Sequence, residues 1–475
     1  MLFNSFPYIF CFLPIVIALT LLARKMAGPR AAQISVLLAS FIFYAWWKPI
    51  HLPYLIGSIL VNWLIARWIA ASEQPQRKRI LQLGLFFNVA FLCIFKYVNF
   101  FLKSFAHLIP SRFLLPDLEF PLGISFFTIT QIMYLVDCYE SLLPPSSLFD
   151  HATFVSFFPY VISGPIARAK RILHQASDFG GKNDQRFDLI ARGVYLFSFG
   201  LFKKVVFADA FARVASYGVN STTNMSTLEA WVFSIAYTMQ VYFDFSGYSD
   251  MAIASALMLG IEIPRNFDAP YRAQSIVKFW QRWHISLTNF ITTYLYTPIL
   301  RKFERANLVS ASIATILAMT IAGLWHGPAW TFVCWGILHG IGLAINQLWN
   351  KKRIFKLPGA ISWLLTFGFV NIAFIIFHSH TLTDAGRRIV GLLPQRNLFG
   401  IANLLTMRDQ GIILHILGPP LIVGLLVAFV GKSSEELARE FRPSLINSLA
   451  VVALTLIAWT FMNSTIVTPF VYFAF

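Results

Sequence analysis

The sequence predicts an all-α polytopic membrane protein with about 11 transmembrane helices, within a range of roughly 10 to 13, and three observations carry that expectation. The first is composition: 57% of the residues are hydrophobic and 12% are charged, about half the charged share of a soluble domain. Mean hydropathy is +0.65, and no aqueous core absorbs that much apolar surface. The second is length: apolar stretches of about 20 residues, enough to cross a hydrocarbon layer of about 30 Å, recur along the whole chain. The third is the placement of charge. The formal net charge of +17 is held in short Lys and Arg clusters between apolar stretches, as cytoplasmic loops of membrane proteins hold it. A basic face interleaved with exposed aromatics is missing, so no nucleic-acid partner is expected and membrane lipid is.

In chain order, spans are expected near residues 8–23, 33–47, 54–71, 80–105, 189–212, 229–260, 307–325, 327–349, 359–379, 411–431 and 445–466. The stretches around 121–138 and 151–167 are apolar but short and broken by Pro and Gly, which suits re-entrant or buried segments. Residues 8–23 have no basic region before them and no small-x-small cleavage site after them, so this segment is expected to stay as a helix. Basic clusters at Arg24, Lys25 and Arg30, at Arg77, Lys78 and Arg79, at Arg301, Lys302 and Arg305, and at Lys351, Lys352 and Arg353 are assigned to the cytoplasmic side. The N-terminus then faces outside, as do residues 381–410 and Phe475, although Arg387, Arg388, Arg396 and Arg408 run against that sidedness. No repeat and no linker sets off a soluble domain, so residues 1–475 read as one membrane domain whose informative motifs lie between 120 and 340. Cys11, Cys93, Cys138 and Cys334 stand singly without a CxxC pair and read as buried free thiols. His51, His107, His151, His174 and His415 look like loop or helix-end residues.

Ionisable side chains inside apolar spans are costly, so they are where chemistry is sought. The run from Gln240 to Asp250 holds Asp244, Ser246, Tyr248 and Asp250, none of which can face lipid. The i, i+4 spacings Gln240 to Asp244 and Ser246 to Asp250 put these groups on related helix faces, toward a cavity or a partner helix. A hydrogen-bonded network joining helices is the structural alternative. Further on, Asn266 to Tyr271 reads as irregular because of Pro270, and a helix resumes from Ser275 that is too amphipathic to span. Trp280 and Trp283 would sit at headgroup depth there, with Arg282 and His284 pointing into protein. The third region is Gly323-Leu-Trp-His-Gly-Pro328, where Gly327 and Pro328 break the helix and leave His326, next to Trp325, at the break. Histidine has the proton affinity nearest neutrality and is the natural base for activating a hydroxyl; a core histidine bonded to a carbonyl is the plainer reading. His378 and His380 lack a carboxylate at ligand spacing, so no metal is expected.

At these blocks the sequence resembles the membrane-bound O-acyltransferase family, in particular its bacterial alginate O-acetyltransferase and D-alanyl transfer branch. The resemblance rests on Pro121-Leu-Gly-Ile-Ser-Phe-Phe-Thr128, Tyr242-Phe-Asp-Phe-Ser-Gly-Tyr-Ser-Asp250, Asn266-Phe with Pro270-Tyr271, Phe279-Trp with Arg282-Trp-His-Ile-Ser-Leu287, Gly323-Leu-Trp-His-Gly327 and Val471-Tyr-Phe-Ala-Phe475. It implies a ring of tilted helices around a thin core with a central tunnel, through which a thioester made inside meets a hydroxyl arriving from outside. It also implies His326 as the catalytic base, with His284 and Trp283 positioning the thioester or stabilising charge on its oxygen. Arg282, Trp325, Gln240, Asp244, Ser246, Tyr248 and Asp250 would line the tunnel and substrate site. The chain departs from the alginate-type pattern at Gln281, at Thr292-Thr293 and at Ile299-Leu300-Arg301, departures that bear on the acceptor and leave His326 in place.

The leading expectation is transfer of acetyl from a cytoplasmic thioester, acetyl-CoA or an acyl carrier, to a hydroxyl of an exported polysaccharide or peptidoglycan. A periplasmic acetyltransferase or polysaccharide-modifying partner would assist it, the location would be the cell inner membrane, and no bound cofactor is expected. D-alanyl transfer from a carrier protein is the alternative within the family. A polar-solute transporter with Asp and His as a proton relay is the alternative outside it, although the paired repeats common in transporters are not seen.

Overall fold

With no water to satisfy N–H and C=O groups in a bilayer, the backbone must bond to itself, and a helix does so within one segment. The computed structural model describes residues 1–105, 119–181, 186–220, 225–352, 356–394, 397–401, 404, 418–464 and 470–471, and no strand occurs among the described residues. The longer helices are α1 (Leu13–Ala45), α2 (Leu52–Ala71), α3 (Gln76–Lys96), α4 (Ile124–Tyr139), α5 (Leu148–Ser156), α6 (Arg186–Phe202), α7 (Asp209–Asn220) and α8 (Thr227–Met258). Then come two short helices, α9 (Ile276–Trp280) and α10 (Ile285–Phe290), followed by α11 (Leu308–His326), α12 (Trp330–Lys352), α13 (Gly359–His378), α14 (Leu382–Gly391), α15 (Gly418–Phe429) and α16 (Leu445–Ser464).

Among the described residues, seven helical runs are long and apolar enough to cross a membrane. The first, Pro7–Ala45, is two helices folded back to back. Gly28 breaks the run at φ 84° and ψ −175°, a left-handed region that only glycine enters without strain. The reversal is proved by Thr20 Oγ1 and Ser35 Oγ, 3.1 Å apart, where a straight helix would separate residues fifteen apart by about 22 Å. The expected spans 8–23 and 33–47 are therefore both present, with Arg24 and Arg30 flanking the turn. Segments 189–212 and 229–260 are helical as expected, as α6 with its continuation and α8, but both carry charged side chains and neither is among the seven. The expected span 411–431 lies partly outside the described residues, as do His107, His415, Arg396, Arg408 and Phe475.

The chain divides into two compact units. The first comprises Met1–Phe197 and Met251–Arg265. Its helices are tied by polar bonds suited to an apolar solvent: Asn62 and Asn88 join α2 to α3 reciprocally, at 2.6 and 3.3 Å. Tyr8 Oη lies 2.7 Å from Ser255 Oγ, and Arg168 donates to Asp137 at 3.0 Å. His151, expected at a loop or helix end, lies in the first turn of α5 and is fully buried, its ring 4.2 Å from that of Tyr134. Of the four thiols expected to be buried, Cys138 is; Cys93 and Cys334 are half-buried, and Cys11 is exposed on an apolar run.

The second unit comprises Ser198–Asp250 and Asn266–Phe475. Its frame is the α11/α12 hairpin. Gly323 and Gly336 face each other so closely that a Cβ on Gly336 would stand 2.4 Å from the Met319 carbonyl oxygen, and one on Gly323 would stand 2.3 Å from that of Phe332. Small residues at such a contact let two backbones touch, which is how helices associate when lipid removes the hydrophobic drive. Leu364 of α13 and Leu456 of α16 remain about 60% exposed, at 61% and 62%, as lipid-facing positions do.

Candidate active site

The hairpin that frames the second unit also sets the first histidine. Asn307 caps α11 by accepting from Val309 N at 2.9 Å and Ser310 N at 3.0 Å, and Ser310 Oγ accepts from Asn307 N at 2.9 Å. That reciprocal box fixes where the helix starts. It stops at His326 because Gly327 turns extended and Pro328 supplies no N–H to continue the ladder. His326 is 4% exposed. Its ring lies 5.0 Å from Trp325, 5.2 Å from Trp335 at 89°, and 5.3 Å from Phe377 at 80°. Behind it, Trp280 Nε1 donates to His339 Nδ1 at 3.2 Å, and the His339 ring lies 4.7 Å from Trp335. A cavity of about 300 Å³ lined in part by Leu300, Asn307, Leu308 and Lys351 lies at the other end of the hairpin, away from His326.

The second histidine is set by an amide. His284 occupies the left-handed region at φ 42° as N-cap of α10, a costly conformation for a residue with a Cβ that its surroundings must over-determine. They do so through Asn266. The Asn266 carboxamide oxygen lies 2.9 Å from His284 Nδ1 and accepts from Ser286 Oγ at 2.8 Å, while Asn266 Nδ2 donates to Ser249 Oγ at 3.1 Å. Because that oxygen is an acceptor, the proton of neutral His284 sits on Nδ1 and Nε2 keeps its lone pair. Phe245 meets the imidazole edge-on at 4.7 Å. In that tautomer Nε2 is the accepting nitrogen of neutral His284. The described contacts of His284 and His326 run to different residues. Trp283, Phe374 and Phe377 follow ring to ring at 5.3 and 6.3 Å, and Phe377 meets His326 at 5.3 Å.

The polar run on α8 meets two lysines that the motif pattern does not include. Lys203 Nζ donates to Asp250 Oδ2 at 2.7 Å and to Ser434 Oγ at 2.7 Å, with Ser246 Oγ at 3.4 Å. Lys204 Nζ lies 2.8 Å from both Asp209 Oδ1 and Asp244 Oδ1. All five charged side chains are buried. Both lysines open a π-helical stretch, Lys203–Ala208, the kind of local widening that often re-aims side chains at functional sites. Asp244 Oδ2 also accepts the backbone N–H of Val471 at 2.7 Å, and the Tyr248 ring stacks on Phe470 at 4.3 Å. Asp244, Ser246, Tyr248 and Asp250 therefore join helices and the C-terminal segment, as a hydrogen-bonded network between helices would.

Of the remaining expected residues, Trp325 and Trp283 are buried, at 9% and 2% exposed. Trp280 and Trp283, expected with their rings at headgroup depth, are both buried within the protein, Trp283 stacking on Phe279 at 5.5 Å. Arg282 is half-buried, its Nη1 reaching the Asp268 carbonyl at 3.5 Å, and Gln240 is half-buried on α8. Sequence reasoning does not single out the side chains of Asn266, Lys203, Lys204, Trp335 and His339. The lysines carry a readable signal, two charges inside an apolar stretch with Asp209 five positions on from Lys204; Trp335 carries none.

A multi-pass helical chain whose second unit buries His284, His326 and His339 among aromatic rings defines the class, an integral-membrane protein. The membrane-bound O-acyltransferase family pattern matches residues 75–382. The peptidoglycan O-acetyltransferase of Helicobacter pylori is 36% identical over 100% of this chain and 98% of its own length. The probable alginate O-acetylase AlgI of Pseudomonas aeruginosa is 35% identical over 91% of this chain and 81% of its own. The teichoic acid D-alanyltransferase of Streptococcus thermophilus is 30% identical over 54% of this chain and 68% of its own. This chain belongs to the membrane-bound O-acyltransferase family and is an O-acyltransferase, which sets aside the transporter reading.

Proposed function

We propose that this enzyme moves an acetyl group from a cytoplasmic thioester, acetyl-CoA or an acyl carrier, to a hydroxyl of an exported polysaccharide or peptidoglycan at the inner membrane, with a periplasmic partner receiving or directing the acyl group. The observation that carries the reading is His326: an imidazole buried among aromatic rings at the end of α11, where the helix breaks. The acceptor oxygen attacks the thioester carbonyl, forming the C–O bond, while His326 takes the hydroxyl proton. The imidazolium then sits at the carbonyl end of α11, which favours positive charge. Collapse of the tetrahedral intermediate breaks the C–S bond, and the proton passes from His326 to the leaving sulfur. His284, with a lone pair at Nε2, positions a hydroxyl or N–H of a substrate. Acetyl as the group transferred is supported by the two relatives that match along nearly the whole chain, whose names concern O-acetylation.

The test is the acetyl ester content of cell-surface polymers in a deletion strain complemented with wild type or His326→Ala at equal membrane levels. Loss of ester with His326→Ala is expected, and the polymer that loses it identifies the acceptor. Full restoration by the variant would make His326 structural and the mechanism wrong.

A further inference from the structure

We infer that Trp335 is a catalytic residue, its indole N–H donating to the acyl oxygen as negative charge builds there. The inference rests on the acyl-transfer reading above. Trp335 is 2% exposed, and its Nε1 finds no hydrogen-bond partner among the described residues. A buried N–H left unmade is costly, so one that persists in a packed site calls for a reason. The neighbouring tryptophan shows that this cluster has acceptors to offer: Trp280 Nε1 is satisfied by His339 Nδ1 at 3.2 Å. Trp335 packs against that same His339, at 4.7 Å between rings, without bonding to it.

Its position supplies the reason. The ring lies 5.2 Å from His326, edge to face at 89°, and is walled by Phe377 at 5.3 Å and Trp280 at 5.8 Å. It is rigidly placed as well, because the next residue, Gly336, sets α12 backbone to backbone on α11. An indole nitrogen only donates, so its partner must be an acceptor. Beside a base that has just taken a proton, the group that gains acceptor strength is the thioester carbonyl oxygen, which receives the π electrons when the C–O bond forms. A fixed donor in an apolar wall stabilises that oxygen more in the transition state than in the ground state. Neutral His284 presents a lone pair instead, so it does not fill this role.

The experiment uses membranes of the host strain bearing the full-length protein at matched levels, radiolabelled acetyl-CoA as donor, and the membranes' own polymer as acceptor. Two replacements are made: Trp335→Phe, and incorporation of benzothienylalanine at 335, which exchanges N–H for sulfur in a ring of nearly the same shape. Both are expected to lower kcat about 100-fold to 1,000-fold, with KM for acetyl-CoA moving less than about threefold and the thermal midpoint no lower than wild type. Activity of the benzothienylalanine protein within about threefold of wild type overturns the proposal, as does a rise in KM at unchanged kcat. A loss confined to Trp335→Phe does so too, because the ring and not the N–H would then matter. Should wild type transfer acetyl no faster than His326→Ala, the acyl-transfer reading fails first and this inference falls with it.

Discussion

One carboxamide oxygen, on Asn266, accepts the Ser286 hydroxyl and faces His284 Nδ1, so a residue with no charge sets which imidazole nitrogen carries the proton. Replacing it tests that assignment. Asn266→Ala, compared at matched membrane levels, is expected to lower kcat by about 100-fold, the scale on which a misplaced positioning group acts; unchanged kcat would show that the tautomer does not matter. Lys203 and Asp250 make a different residue-scale argument. Removing one partner strands a buried charge, so Asp250→Leu alone is expected to destabilise by about 3–5 kcal/mol, and adding Lys203→Met should recover most of it. Thermal unfolding in detergent of both variants checks this, and a double variant no better than the single would refute it. Asp250 and Ser246 are legible from sequence because they interrupt an apolar stretch. Lys203 carries the same signal, but its partners lie 47 and 231 positions away, beyond any local pattern.

At the scale of elements, the α11/α12 hairpin shows what glycine does in a membrane helix. Gly336 and Gly323 are not bends; they are where two backbones meet. Gly336→Val should force the helices apart and cost roughly 1–3 kcal/mol or more by overpacking, seen as a lower unfolding temperature, whereas Gly368→Val on α13, with nothing within 4 Å of its Cβ position, should leave the midpoint within a degree or two of wild type. Equal effects at the two sites would contradict the close-packed interface. The Gly-x-x-His-Gly-Pro spacing makes the end of α11 readable from the residues alone, because Gly327 and Pro328 act through the local backbone. The inward packing of Trp280 and Trp283 is not readable in that way: the same aromatic and basic alternation fits a membrane surface or a buried turn, and for Trp283 the neighbours Tyr271, Phe279 and Phe374 decide it.

At the scale of the molecule, the C-terminal segment is held by the middle of the chain. Val471 N–H donates to Asp244, 227 positions earlier, and Phe470 lies on Tyr248 and against Phe245, which itself meets His284. Deleting residues 470–475 is therefore expected to leave Asp244 Oδ2 without that N–H, to lower the unfolding temperature, and to reduce acetyl transfer at equal membrane levels. A truncated protein with wild-type stability and activity would show the contact to be incidental.

The sequence by itself determined that the protein is helical and membrane-embedded, where its first hairpin turns, that His326 stands at a helix break, and which polar residues on α8 must avoid lipid. Those are consequences of composition, span length and local backbone chemistry, which act over a few neighbouring residues. Only the tertiary structure decided the rest: that Asp244 and Asp250 are held by lysines, that Asn266 fixes the proton on His284, and that Trp335, its N–H without a partner among the described residues, packs beside His326. Each depends on which side chains meet across distant segments, and the energy of a buried polar group is set by that meeting, not by its own identity.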